Sequence, residues 1–125
     1  MKTVLIGLSV AVIGAAAFLM WPRDAPERAS AGSESYAVEL EVEPRRGPVT
    51  ATVRVTRHDH AAVDVDEVVI EAVMPSMGHA MPEVVARRRH DRFEADGELF
   101  TMTGLWDVSL RLDGETATVR IPVVG

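Results

Sequence analysis

One segment of the chain, MPSMGHAMP, holds three of the six methionines and one of the four histidines, side chains that could bind a metal ion. It runs from Met74 to Pro82 and places Met77, His79 and Met81 close together in the sequence. Thioether sulfur is a soft, neutral ligand and imidazole is intermediate in softness. A cluster of this kind without carboxylates suits Cu(I), and to a lesser degree Ag(I), better than zinc, calcium or magnesium. The segment therefore predicts a soft-metal site.

Methionine also fills gaps in apolar cores, so plain packing is the alternative interpretation of this cluster. Met74 follows an apolar stretch and fits the packing interpretation well. Met77 and Met81 flank Gly78-His79 in a segment with two prolines, which favours a surface loop between strands. We favour metal binding for the loop residues, and the packing interpretation stays open.

The other histidines are weaker candidates. His58 and His60 flank Asp59, and in a continuing strand both imidazoles would share a face and could reach one Cu(II) or Zn(II) ion. An HDH sequence in a turn is more commonly just solvated, and we prefer that interpretation. His90 follows three arginines and is expected at the surface.

The elements that would position these residues are strands. From Tyr36 onward apolar residues alternate with polar ones, as in YAVELEV and VTATVRVT, and no helical stripe is visible. PRRGP and Ala95–Glu98 are predicted turns, and Asp113-Gly114 is a strong hairpin signal. About seven short strands in this length predict an all-β fold, an antiparallel sandwich of immunoglobulin-like or cupredoxin-like shape.

Three regions are predicted along the chain: an apolar segment over residues 1–22, a flexible tether over 23–35 and the β domain over 36–125. Val4 to Trp21 carries no charge and follows Lys2, which favours an uncleaved membrane anchor with the remainder outside the cytoplasm. A cleaved signal peptide is the alternative, with Ala15–Ala17 or Ala29–Ala31 as the cleavage site.

The MPSMGHAMP loop, followed by Phe93–Gly97 and by Phe100–Trp106, resembles the exported FixH-like and YtkA-like domains. The resemblance implies an immunoglobulin-like sandwich and a role in copper handling or oxidase assembly at the cytoplasmic membrane. It also adds Met102 to the predicted ligands, which become Met74, Met77, His79, Met81 and Met102. Some members carry a histidine beside the second-motif methionine, whereas this chain has Thr101-Met102-Thr103. Met102 is then the one ligand expected from that motif.

Composition argues against several other classes of function. The net charge is −6 and the one basic run is Arg87–Arg89, so nucleic acid is not an expected partner. The chain has no cysteine, which excludes a blue-copper site, and no catalytic motif is present, so we do not expect an enzyme. The sequence predicts an extracytoplasmic Cu(I)-binding module for delivery, sequestration or oxidase assembly. A metal-free, membrane-anchored interaction domain that assists assembly of a membrane complex is the alternative.

Overall fold

The structure is a computed structural model that describes residues 26–124. Alternation of buried and exposed side chains sets its strands, as in Tyr36–Val42, where every second residue is buried. The strands in chain order are β1 Glu27–Gly32, β2 Tyr36–Val42, β3 Gly47–Arg57, β4 Glu67–Met74, β5 His79–Ala80, β6 Val84–Arg89, β7 Arg92–Phe100, β8 Gly104–Leu112 and β9 Glu115–Val123. A 3₁₀ turn, Pro75–Met77, lies between β4 and β5. Within residues 26–124 no helix is long and apolar enough to span a bilayer.

All nine strands belong to one antiparallel sheet, in the order β1-β2-β3-β7-β6-β4-β8-β9, with β5 also paired to β4. The sheet curls until β1 and β9, its two ends, lie beside one another, which makes it nearly a barrel. Neighbouring strands run in opposite directions, so each end of this barrel has a fixed set of strand termini. We call the end where β4 and β9 finish and β8 begins the site end. The opposite end, with the β8–β9 hairpin, is the polar end.

The interior of the barrel is filled by apolar side chains from all the long strands. Trp106, Tyr36 and Phe100 are the largest fully buried residues, and no charged or polar residue is buried in the described part of the chain. Trp106 lies near the site end, because it is the third residue of β8. Tyr36 lies near the polar end, where β2 begins.

The all-β, antiparallel prediction is confirmed, whereas the seven-stranded immunoglobulin-like or cupredoxin-like sandwich is not. Residues 26–124 form nine strands joined edge to edge in one sheet rather than two separate layers. Alternation identifies strands but carries no information on which strand pairs with which, so it cannot distinguish a sandwich from a curled sheet. The predicted N-terminal apolar helix lies outside the described residues.

Two local predictions are wrong. Residues 27–32 of the predicted tether form β1, which pairs along its whole length with β2, so the β domain begins before Tyr36. The predicted turn at Ala95–Glu98 is instead the middle of β7, where Ala95 and Gly97 pair with Ala51 and Val49 of β3. The Asp113-Gly114 hairpin is confirmed, and both residues have the positive φ, 50° and 72°, that such a two-residue turn requires.

Candidate metal centre at the site end

The MPSMGHAMP segment forms a tight reversal at the site end of the barrel. β4 ends at Met74, and Pro75 begins a single 3₁₀ turn whose closing N–H, from Gly78, donates to the Pro75 carbonyl at 3.3 Å. Gly78 has φ of 60°, a left-handed conformation that glycine adopts without strain. The chain then returns as β5, which pairs His79 with Met74 and Ala80 with Val73.

Strand register decides where His79 and Met81 point. Paired residues of antiparallel strands project from the same face, so His79 shares the inward face with Met74. The Met81 N–H donates to the Ala72 carbonyl at 2.9 Å, which continues the same register and places Met81 opposite buried Ala72. His79 and Met81 are therefore successive inward-facing residues at the mouth of the barrel, His79 exposed and Met81 half-buried.

Trp106 connects this hairpin to the β7–β8 loop. Its ring meets the His79 ring edge-on at a centroid distance of 6.1 Å and the Phe100 ring at 5.7 Å. Its indole N–H donates to the Met102 carbonyl at 3.0 Å. The loop Thr101–Thr103 joins β7 to β8, two strands separated in the sheet by β6 and β4, so it crosses the site end of the barrel. Trp106 thus fixes Met102 and His79 at the same end.

The predicted ligands fall into two groups by burial. Met74 is only 3% exposed and packs in the core, where its methyl group would lie 3.0 Å from a Cβ added to Gly104. Met77 is 65% exposed, His79 is exposed, and Met81 and Met102 are half-buried against the core. The structure therefore brings Met77, His79, Met81 and Met102 to one end of the barrel, three thioethers and one imidazole, while Met74 lies beneath them.

This donor set has a defined chemistry. In residues 26–124 no group of three or more histidine, cysteine, aspartate or glutamate side chains could hold a metal ion. The candidate centre is instead built on neutral sulfur with a single nitrogen. Such ligands stabilise a soft monovalent ion, and three or four of them satisfy a trigonal or tetrahedral Cu(I). These are the donors on which the Cu(I) prediction rests.

The hypothesis of a second site at His58 and His60 is not supported by the local backbone. β3 ends at Arg57, so the two histidines lie in a turn and not on one face of a strand. His60 has φ of 62°, and His58 Nε2 lies 3.0 Å from the Ser33 carbonyl as a hydrogen-bond partner. His90, also at positive φ, is exposed in the β6–β7 turn, as predicted.

Hydrogen bonds at the polar end close the barrel where its first and last strands meet. The Glu115 carboxylate of β9 accepts from the Ser33 hydroxyl at 2.8 Å and from the Ser35 N–H at 2.7 Å, both in the β1–β2 turn. These bonds, the Ser35 N–H first, lower the pKa of Glu115. Burial, and then the hydrogen bond from its hydroxyl to Asp113 at 3.1 Å, raise the pKa of Tyr36.

An ion pair at the polar end holds the turn after β3. The Arg57 guanidinium donates to both carboxylate oxygens of Asp59, at 3.0 and 3.1 Å, and the Ala61 N–H donates to the same carboxylate. Arg57, followed by the Ala61 N–H, lowers the pKa of Asp59 to about 2. The Asp59 carboxylate therefore stays ionised and paired with Arg57 through the neutral and moderately acid range.

Trp106 links the two segments that make up the candidate centre. It is fully buried in the core, and it also contacts His79 and donates a hydrogen bond to the Met102 carbonyl. A tryptophan in the strand that follows the second methionine is the only signal the sequence offered. Its contact with His79 depends on the pairing of β4 with both β5 and β8, which local spacing does not reveal.

The fold and the centre together define a class: a nearly closed antiparallel β domain that carries a methionine- and histidine-bearing hairpin at one end. The family model described as YtkA-like matches residues 30–111, so the chain belongs to the YtkA-like family. The match covers both the hairpin and the β7–β8 loop. No curated protein and no solved structure matches the chain significantly.

Proposed function

We propose that this protein is an extracytoplasmic module that binds one Cu(I) ion through Met77, His79, Met81 and Met102 and holds it for delivery, sequestration or oxidase assembly. Copper is here a cargo rather than a resident cofactor. The apolar N-terminal segment anchors the domain in the cytoplasmic membrane, and a copper-receiving or oxidase-assembly protein is the expected partner.

The observation that supports this proposal most is the register of the β4–β5 hairpin. It turns His79 and Met81 to the same face at the mouth of the barrel, with Met77 on the exposed turn above them. Packing alone does not require this arrangement, because a methionine at 65% exposure contributes little to a core. The Met102 loop crosses the same end and is fixed by Trp106.

Competition titration of the full chain in detergent tests the choice of metal. With Cu(I) under reducing conditions, the protein should bind one ion per chain and compete with a colorimetric Cu(I) chelator. Zn(II) should show no comparable affinity, because the centre offers one nitrogen and otherwise thioethers. Equal affinities for Zn(II) and Cu(I) would contradict the proposal.

The second candidate is a metal-free interaction domain anchored in the membrane. It is favoured by the exposed apolar side chains around the same end of the barrel, among them Met77 and Leu105 at 65% and 53% exposure. Absence of any Cu(I) binding by a folded chain would favour this alternative. The two candidates place their functional surface at the same end and differ in whether metal is needed.

A further inference from the structure

Exposed apolar side chains are concentrated at the site end. Four large hydrophobic residues are exposed in the described part of the chain, and Met77, Leu105 and Val124 lie at this end, with exposures of 65%, 53% and 69%. Pro122, also exposed, pairs directly with Leu105 across β8 and β9. We call Met77, Leu105, Pro122 and Val124 the apolar rim.

The fold makes this rim continuous and places basic residues beside it. The 3₁₀ turn that carries Met77 lies against β8, whose second residue is Leu105. At the other side of the rim, the Val124 N–H donates to the Pro44 carbonyl at 3.4 Å. Glu43 and Pro44 begin the β2–β3 loop, in which Arg45 and Arg46 are both exposed, and Arg45 forms an ion pair with Glu43 at 2.7 Å. Basic side chains beside an apolar surface can contact anionic headgroups while the apolar side chains reach the acyl boundary.

The chain also enters the barrel at this end. β1 begins at Glu27, paired with Val42, the last residue of β2, so its start lies at the site end next to β9. Between Trp21, the last residue of the apolar N-terminal run, and β1 there are only the residues Pro22 to Pro26. Five residues span at most about 17 Å. That reach is shorter than the roughly 30 Å length of a nine-residue strand such as β8.

We propose that the apolar rim docks on the surface of the lipid bilayer, with Arg45 and Arg46 at the headgroups, so that the candidate metal centre opens toward the membrane. This inference rests on the membrane-anchoring part of the proposed function and is independent of copper. The five residues Pro22–Pro26 keep the site end close to the bilayer, and the apolar rim supplies the apolar contact there. The polar end, with the Arg57–Asp59 turn and the β8–β9 hairpin, faces away.

The full chain reconstituted in vesicles of equal parts phosphatidylcholine and phosphatidylglycerol tests this orientation. The sequence contains no cysteine, so Leu105→Cys and, at the polar end, Thr116→Cys each provide a single labelling position. A fluorophore at position 105 should be quenched several-fold more by spin-labelled lipids than one at position 116. Val124→Cys is a second rim position, used if Leu105→Cys lowers the melting temperature.

The outcomes separate the possible occupants of the rim. Combined Arg45→Glu and Arg46→Glu should reduce quenching at position 105 if the rim lies at anionic headgroups. Equal weak quenching at both positions would overturn the docking. Energy transfer between labelled copies at position 105, without quenching by lipid, would assign the rim to a second copy of this chain and would also overturn it.

Two controls distinguish this inference from the function on which it rests. A chain that fails to float with the vesicles would contradict the anchor, and the docking with it. A chain that floats and binds Cu(I) but shows no quenching at position 105 would contradict the docking alone. A chain that is quenched there and binds no Cu(I) would support the docking and contradict the copper proposal.

Discussion

The two ends of the barrel are formed by opposite termini of the same strands. They differ in the side chains that their turns carry and in the partners of those side chains. At the polar end, Glu115, Asp113 and Asp59 accept hydrogen bonds from hydroxyl, backbone and guanidinium donors. At the site end, thioethers, an imidazole and exposed apolar side chains surround the opening. The contrast indicates that the polar end closes the fold, whereas the site end offers groups suited to a ligand from outside.

The histidines show the same difference at the level of single residues. His58, at the polar end, has the Ser33 carbonyl as its hydrogen-bond partner, which is a structural role. His79, at the site end, contacts the buried Trp106 ring and faces the same way as Met81. Residue type alone does not separate the two. The end of the barrel at which each lies does.

The largest expected effect is a loss of stability when Met74 is replaced, which should not occur when the exposed Met77 is replaced. Met74→Ala should lower the free energy of unfolding by about 2–5 kcal/mol, because it leaves a cavity in the core. Met77→Ala should change it by no more than about 0.5 kcal/mol, because that side chain is on the surface. Chemical denaturation of the apo chain in detergent measures both. Similar losses in the two variants would mean that the 3₁₀ turn is part of the core.

A smaller effect is expected at Thr101, in the loop that crosses the site end. Its hydroxyl oxygen is the one buried side-chain polar atom without a hydrogen-bond partner in the described part of the chain. Thr101→Val removes this group at nearly constant volume and should raise the free energy of unfolding by about 1 kcal/mol. Exposed Thr103→Val is the control and should be neutral. A loss of stability in the Thr101 variant would show that its hydroxyl is satisfied.

The smallest effect concerns acid stability at the polar end. The pKa of Glu115 is lowered in the folded state, so its stabilising contribution is present above the ordinary glutamate pKa and is lost as the pH falls through the lowered value. Glu115→Gln should therefore lower the melting temperature at neutral pH, and the difference from wild type should shrink in acid. Glu34→Gln, at an exposed position of the neighbouring turn, is the control. A difference that is independent of pH would rule out the charge as the cause.

Much of the strand pattern was predictable because it depends on local alternation, as in β2, β3 and β8. β1 was not, because Ala29 and Ala31 are too small to give a clear hydrophobic period although both pack against the core. Ala95–Glu98 has the composition of a turn, yet pairing with β3 keeps it extended. In each case tertiary pairing overrides the local signal.

The sequence indicates which residues form the candidate centre. It does not indicate how those residues are arranged. Spacing and softness identified the MPSMGHAMP loop, and a family resemblance supplied Met102. The separation of buried Met74 from exposed Met77 depends on where β4 ends, and the role of Trp106 depends on the pairing of β8 with β4. The pairing of β8 with β4 joins segments distant in sequence, which no local pattern specifies.

The most direct test of the account is the stabilisation of the full chain by Cu(I), compared between wild type and the combined variant Met77→Ala/Met81→Ala. At a free Cu(I) concentration of about 100 times the dissociation constant, wild type should gain about 2.7 kcal/mol in unfolding free energy. The variant should gain much less at the same concentration, since it lacks two of the proposed thioether ligands, while its apo form stays folded. Equal stabilisation of both proteins by Cu(I), or none in wild type, would contradict a copper centre at the site end.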